Sequence, residues 1–325
     1  MPVKVSVIIP VYKAEKYMRK CCETLFQQTL EDVEYIFVND CTPDKSIEII
    51  KDVLNDFQDC GDRVTIITHE KNLGVSQSRQ DGVDRASGDY IIHCDPDDWV
   101  ETDMYELMYE KAEKTNADVV ICDFMVETAV DATVNKQYLP FDKHEIFRAV
   151  NRGTLHAGLC NKMVKRTAWN ELNCRFNNKI SLWEDMSVVL PLLLSASKVE
   201  KIDMPLYHYR WGLSDTISSY IYTKEKVQSM IAAADYVGEF LSSRRLLDEY
   251  RREYLDLRLK ACDGLVSRLT CFDPELWCRS IKTSLPGIIN SNLRWTHKVY
   301  WILAKLQCDK LIFQLVKLKS RRRES

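Results

Sequence analysis

From its N-terminus the chain alternates between two kinds of apolar pattern. "VKVSVIIPVY" is an unbroken apolar run rich in β-branched side chains, as expected of a parallel strand buried on both faces. Tyr17, Cys21 and Leu25 then recur at four-residue spacing, one face of a helix. "VEYIFVND" reads as a second strand. Asp44 is placed to cap a helix whose apolar stripe is Ile47, Ile50, Leu54 and Phe57. "RVTIITHE" is a third strand, "NLGVSQSRQDGVDRASG" predicts a turn and a helix ending near Gly88, and "DYIIHC" is a fourth strand. A further helix precedes a strand over residues 117–127, and residues 128–215 are mixed. From Thr223 onward the pattern is helical, with candidate helices over 223–247, 249–270, 273–284 and 295–318.

Strands alternating with helices through short links imply right-handed crossovers and an α/β fold on a parallel sheet. Ligands of such sheets sit beyond the carboxyl ends of the strands. Three of those ends carry unusual polar chemistry: Pro10-Val11-Tyr12, Asn39-Asp40, and Asp95 to Asp98. Decoration of three ends at one edge describes a site.

The last of these, "HCDPDDWV", puts the carboxylates of Asp95, Asp97 and Asp98 within four residues of each other. Like charges so close repel, which suits a hard divalent cation such as Mn²⁺ or Mg²⁺. A turn is the other reading of Asp-Pro-Asp-Asp. No nearby lysine or arginine neutralises the cluster in sequence, which favours metal and phosphate. No GxGxxG follows the first strand and no GxxxxGK[ST] occurs anywhere, which argues against a dinucleotide site or a P-loop. Phosphates bound here would then be neutralised by a metal, pointing to a nucleotide diphosphate as leaving group.

Composition narrows the picture. The chain has 325 residues, and its net charge of −3 gives it no general attraction for nucleic acid. Its twelve cysteines form no CxxC pair and no Cys/His zinc pattern, and "MPVKVSVIIP" carries no signal-peptide pattern. Reduced thiols in a cytoplasmic protein are the expectation. No apolar run reaches the roughly 18 residues of a membrane span. Residues 294–325 hold nine Lys and Arg against Asp309 and Glu324, a net of +7, leaving −10 for the remainder. Within this tail Trp295, Val299, Ile302, Leu303, Leu306, Leu311, Leu315 and Leu318 can form an apolar stripe beside lysines. Such a helix either lies on an anionic membrane surface, peripheral at its inner face, or packs on the rest of the chain.

"VSVIIPVYKAEKYM", "VNDCTPDKS", "NLGVSQSRQDGVDRASGDYIIHCDPDDWV" and "LWEDMSVVLPLL" together resemble the ordered motif set of family 2 glycosyltransferases with the GT-A fold, of the bacterial polysaccharide-synthesis type. Order and spacing match over roughly residues 3–215. The resemblance implies a Rossmann-like, mostly parallel sheet flanked by helices, with a helical C-terminal region. It places a GT-A catalytic domain at 1–217, with a nucleotide-binding half at 1–100 and an acceptor half at 101–217. The helical region with the basic amphipathic tail takes 218–325.

Carried over residue by residue, the resemblance implies that Pro10, Tyr12 and Glu15 line the nucleotide pocket and that Asp40 accepts a hydrogen bond from a uracil-type base edge. It puts Arg79 near the diphosphate or in support of the acidic loop. Asp95, Asp97 and Asp98 would hold the ribose and the metal. Asp185, with Glu184 beside it, falls where the family keeps its catalytic base. The chain departs from the pattern at Asn39, where the family has an acid, at Cys41-Thr42-Pro43, where it has Gly-Ser-Thr, and at Ser78-Arg79-Gln80.

The implied reaction is inverting, metal-dependent transfer from a nucleotide-diphospho sugar, a UDP-sugar, to a hydroxyl of a glycan or lipid-linked acceptor. The metal would stabilise the leaving diphosphate and Asp185 would take the acceptor proton. A carboxylate opening a helix is also ordinary first-turn chemistry. Farther along, His208 is a candidate further metal ligand or a packed ring between tyrosines, and Arg210 could contact the diphosphate. Lys162 could contact phosphate or acceptor, or be an ordinary lysine. Trp99 and Trp183, beside the acidic motifs, could stack on an acceptor sugar or belong to the core. The competing functions are a silent nucleotide-sugar-binding subunit and a sugar-phosphate nucleotidylyltransferase. "IPVYKAEKY" lacks the Gly-rich first loop of the latter, and retention of the four aspartates argues against the former.

Overall fold

The computed structural model describes residues 2–173, 175–212, 223–281, 283–291 and 294–324. Its first hundred residues alternate as β1 (Val5–Val11), α1 (Met18–Phe26), β2 (Val33–Asn39), α2 (Ser46–Asp56), β3 (Val64–Thr68), α3 (Val75–Arg85) and β4 (Tyr90–His93). The middle of the chain adds β5 (Trp99–Val100), α4 (Met104–Thr115), β6 (Val119–Glu127), β7 (Ala132–Asn135), α5 (Lys143–Arg152), β8 (Lys162–Lys165), α6 (Arg166–Leu172), α7 (Glu184–Ser195) and β9 (Val199–Arg210). The remainder is helical: α8 (Lys224–Ser243), α9 (Arg251–Cys262), α10 (Gly264–Ser267), α11 (Pro274–Ser280), α12 (Leu285–Ile289), α13 (Trp295–Lys305) and α14 (Asp309–Glu324).

One sheet runs in the order β3-β2-β1-β4-β8-β6-β9-β5, with β7 paired to β6. β1, β2, β3 and β4 are mutually parallel, as the crossovers require. Beyond β4 the sheet is mixed: β8, β5 and β7 join antiparallel, and only β6 with β9 is parallel. All seven residues of β1 are buried, because layers cover both of its faces. Val5, Val7 and Ile9 belong to the apolar cluster with α1 and α4, while Ile8 faces the one with α3, α5 and α7.

Pro10 is tolerated inside this buried strand for a local reason. The Cys94 N–H donates to the Ile8 carbonyl, so even positions of β1 face β4, and that pairing ends at Ile8↔His93. The N–H that proline lacks would point past the end of the ladder. Gly82 lets α3 approach β1 closely; a Cβ there would lie 2.3 Å from the Ile8 Cγ2.

The C-terminal helices are shorter than the sequence pattern suggests. The helix expected over 223–247 stops at Ser243, the one over 249–270 divides into α9 and α10, and the one over 273–284 stops at Ser280. The tail is not one helix over 295–318 but two, broken at Leu306–Cys308, where Gln307 takes φ +57°. Trp277, Trp301, Ile312 and Val316 build a third apolar cluster under these helices. The domain boundary expected at 217/218 lies outside the described residues.

Candidate functional site

The carboxyl end of β4 meets the N-terminus of α7 around one buried guanidinium. Arg79 sits on the inner side of α3 and is 4% exposed. Its Nη2 donates to Asp95 Oδ1 at 2.9 Å, and its Nε lies 3.5 Å from Asp185 Oδ1 and 3.8 Å from Glu184 Oε1. Burial works against this charge, but Asp185, Asp95 and Glu184 together more than offset it and keep the arginine protonated. Three carboxylates around one cation leave excess negative charge. Burial and the neighbouring Asp185 push the Glu184 carboxyl up to about 8, and burial raises Asp185 against the pull of Arg79.

Asp185 is aimed rather than merely near. The Leu159 N–H donates to its Oδ2 at 3.1 Å, while Oδ1 is buried with no hydrogen-bond partner. Trp183, at φ +68°, turns the chain so that Glu184 and Asp185 open α7 at the rim of the site. An oriented carboxylate with a raised pKa is suited to receive a proton.

The acidic cluster divides into three environments. Asp95 is tied to Arg79. Asp98 is 1% exposed, and its oxygens accept from the Tyr207 hydroxyl at 2.6 Å and the Arg210 N–H at 2.7 Å. Burial, then Asp97 and Asp95, raise Asp98 well above the usual carboxylate range. Both its oxygens serve the fold, so Asp98 is not placed as a metal ligand. Asp97 has no side-chain bond to another described residue; burial and Asp95 raise its carboxyl to about 6. Contrary to the sequence expectation, the cluster is flanked by bases: Arg79, and Arg210, whose Nε donates to the Asp97 carbonyl at 2.9 Å. These lie 16 residues before and 113 after the aspartates they touch.

No group of three or more His, Cys, Asp or Glu among the described residues is arranged to hold a metal alone. Asp97, with the second oxygen of Asp95, fits a cation of the Mg²⁺ type, which needs only one or two carboxylates when substrate phosphates supply the rest. His208 does not join them. Its Nδ1 meets Glu127 at 2.8 Å, its Nε2 meets Glu101 at 2.9 Å, and its ring stacks on Trp99.

At the tip of β1 Tyr12 is 43% exposed, with Lys13 Nζ 5.3 Å from its ring centroid. Glu15 is built into the adjoining turn: its Oε2 accepts from the Lys45 N–H, and its own N–H donates to Asp44. Asp40 is likewise structural. Oδ1 accepts from the Leu73 N–H at 2.7 Å and meets His69 Nδ1, while Oδ2 accepts from the Gly74 N–H at 2.8 Å. It fixes the turn that starts α3, where Gly74 takes φ +89°, and does not present its carboxylate to a base edge. His69 extends the chain to Asp81 at 2.9 Å. Cys41 takes φ +53° without being glycine.

Lys162 is a buried strut, not a ligand. Its Nζ donates to the His156 and Gly158 carbonyls and to Asn161 Oδ1 at 2.7–2.8 Å, holding the loop that carries Leu159. Trp99 is used by its own chain: Lys20 Nζ lies 3.3 Å from its centroid, Arg210 lies over it, and His208 stacks on it. Trp183 packs against the core with Lys260 Nζ 5.6 Å from its ring. Sequence reading missed Tyr207, Leu159 and His69. Tyr207 had one signal, the alternation of "LYHYR" that turns Tyr207 and Tyr209 the same way and His208 the other.

The sequence profile of Glycosyl transferase family 2 matches residues 6–172. EpsH of Bacillus subtilis (strain 168) is 30% identical over 77% of this chain and 72% of its own length. The cholesterol galactosyltransferase of Borreliella burgdorferi is 28% identical over 76% of this chain and 72% of its own. The crystal structure of S. aureus TarS 1–349 in complex with UDP-GlcNAc superposes with a TM-score of 0.69 at 15% identity, covering 98% of this chain and 92% of that one.

Proposed function

The chain belongs to Glycosyl transferase family 2 and is a glycosyltransferase of GT-A fold, and from that premise we propose inverting, metal-dependent transfer of a hexosyl or N-acetylhexosaminyl group from a UDP-sugar to a hydroxyl of a glycan or lipid-linked acceptor. The observation that carries this reading is the cluster of Arg79, Asp95, Glu184 and Asp185, which joins the end of β4 to the start of α7. The TarS complex with UDP-GlcNAc supports the donor class, and the cholesterol galactosyltransferase supports a lipid-borne hydroxyl among acceptors.

In this mechanism the Asp185 carboxylate receives the acceptor proton as the acceptor oxygen bonds to the anomeric carbon and the bond to the diphosphate oxygen breaks. One displacement inverts that centre. The Leu159 N–H fixes the Asp185 carboxylate through its Oδ2. Arg79 keeps Asp185 and Asp95 in fixed relation. Asp97, with Asp95, would hold Mn²⁺ or Mg²⁺, which supplies Lewis-acid stabilisation of the departing diphosphate. Arg210, fixed over Tyr17 and Trp99, brings positive charge to the same end. An anionic membrane surface enters the proposal as the place where a lipid-linked acceptor would be met.

Calorimetry of UDP with and without Mn²⁺ tests the reading. Binding that needs the metal, and that Asp97→Asn abolishes while the melting temperature holds, is expected. Metal-independent binding, or unchanged affinity in Asp97→Asn, would contradict it.

A further inference from the structure

The two tail helices are apolar on opposite sides. Trp301 and Ala304 of α13, with Ile312 and Val316 of α14, are buried in the C-terminal cluster. The far side of α13 is no less apolar, yet it faces water: Trp295 is 62% exposed, Val299 46% and Leu306 53%. With Ile302 and Leu303 the first two line an apolar groove of about 440 Å³. On α14 Leu311 and Leu318 are also exposed. A helix apolar all round is normally covered all round. No helix among the described residues is long and apolar enough to cross a membrane.

The charge around this face says what covers it. The segment carries a net of +7 in a chain of net −3. Seven residues apart, Lys298 and Lys305 lie along one edge of the exposed stripe of α13. Lys298 is anchored by the Ile289 and Ser291 carbonyls at 2.7 Å each, with its Nζ 5.4 Å from the Trp295 ring. An exposed tryptophan, a row of aliphatic side chains and bordering cations are the chemistry of a headgroup interface with anionic lipid. A second copy of this chain would instead set +7 against +7.

We infer that the outer face of α13 and α14 is a preformed docking surface for an anionic lipid bilayer. It lies in the plane of the headgroups, and its opposite face stays packed on the protein. The helices are therefore folded before docking, unlike a detached tail that becomes helical on the membrane.

Sedimentation with vesicles of phosphatidylcholine and phosphatidylglycerol at a 7:3 ratio tests this on the full chain. The chain is expected to pellet at low salt, to be released at high salt, and to pellet little with pure phosphatidylcholine. Trp295→Ser, Val299→Ser and Leu306→Ser together should abolish pelleting without lowering the melting temperature or weakening UDP binding. If that triple variant unfolds, Trp295→Ser alone decides. Lys305→Gln with Lys310→Gln should weaken partitioning about twenty-five-fold, since each cation near an anionic leaflet contributes about five-fold. Equal pelleting of parent and folded apolar variant would overturn the inference. So would a parent that ignores anionic vesicles, including one that self-associates through this face. UDP binding, read on the same samples, keeps this outcome separate from the donor chemistry.

Discussion

Replacing Arg79 with glutamine removes the one charge that three carboxylates share. At 2.9, 3.5 and 3.8 Å, each pairing is on the order of 4–6 kcal/mol at an effective dielectric near 20, before desolvation is counted. Desolvation of a guanidinium at 4% exposure returns much of that sum. Stranding the partners of a buried ion cluster costs about 3–5 kcal/mol, and that is the expected loss at pH 8.5. The cost depends on pH with a definite sign. Glu184 is already held near 8 in the parent, so the folded state keeps a proton that the unfolded chain gives up above about 4.5. Stability therefore falls as pH rises through that window. Without Arg79 the carboxyls rise further, and the fall becomes steeper. Urea denaturation at pH 5.5 and 8.5, with m-values compared, measures the gap. It should be several-fold smaller at pH 5.5. A variant as stable as the parent at pH 8.5, or a gap independent of pH, would refute the view that Arg79 compensates the site.

Glu184→Gln removes a carboxylate that repels Asp185, so the acidic limb of the kcat/KM profile should move to lower pH, as pH–rate measurements would show. The same variant should melt higher than the parent at pH 8.5 by about 2 °C or more, with the difference vanishing toward pH 5. Cys41→Gly should stabilise by about 0.5–1 kcal/mol in urea denaturation, because glycine takes the positive φ at that turn without a Cβ penalty.

The first half of the sheet was readable because each strand is predominantly apolar and strand ends break into polar chemistry: Pro10-Val11-Tyr12 closes β1, and Asn39-Asp40 closes β2. Arg79, Asp95, Glu184 and Asp185 were all nameable from motif order. Their mutual geometry was not, because Arg79 reaches a carboxylate over a hundred positions away. The same limit misled the reading of the acidic cluster: no base stands near it in sequence, yet Arg210 arrives from the far end of β9. Asp40 and His208 were read as binding residues without their hydrogen-bond partners, because Leu73, Gly74 and Glu101 reach them from distant parts of the chain. Antiparallel β5, β7 and β8 are too short for their periodicity to register, and the break at Gln307 lacks the Gly or Pro that marks a helix end.

UDP release from a UDP-sugar in the presence of Mn²⁺ and acceptor, compared between the parent and Asp185→Asn, bears most directly on the proposed transferase site. The substitution keeps an oxygen for the Leu159 N–H and removes only the proton acceptor. Turnover should fall by about 10²–10⁴-fold while calorimetric UDP affinity stays within a few-fold of the parent. Near-parental turnover at saturating acceptor would contradict the assignment of Asp185 as the base.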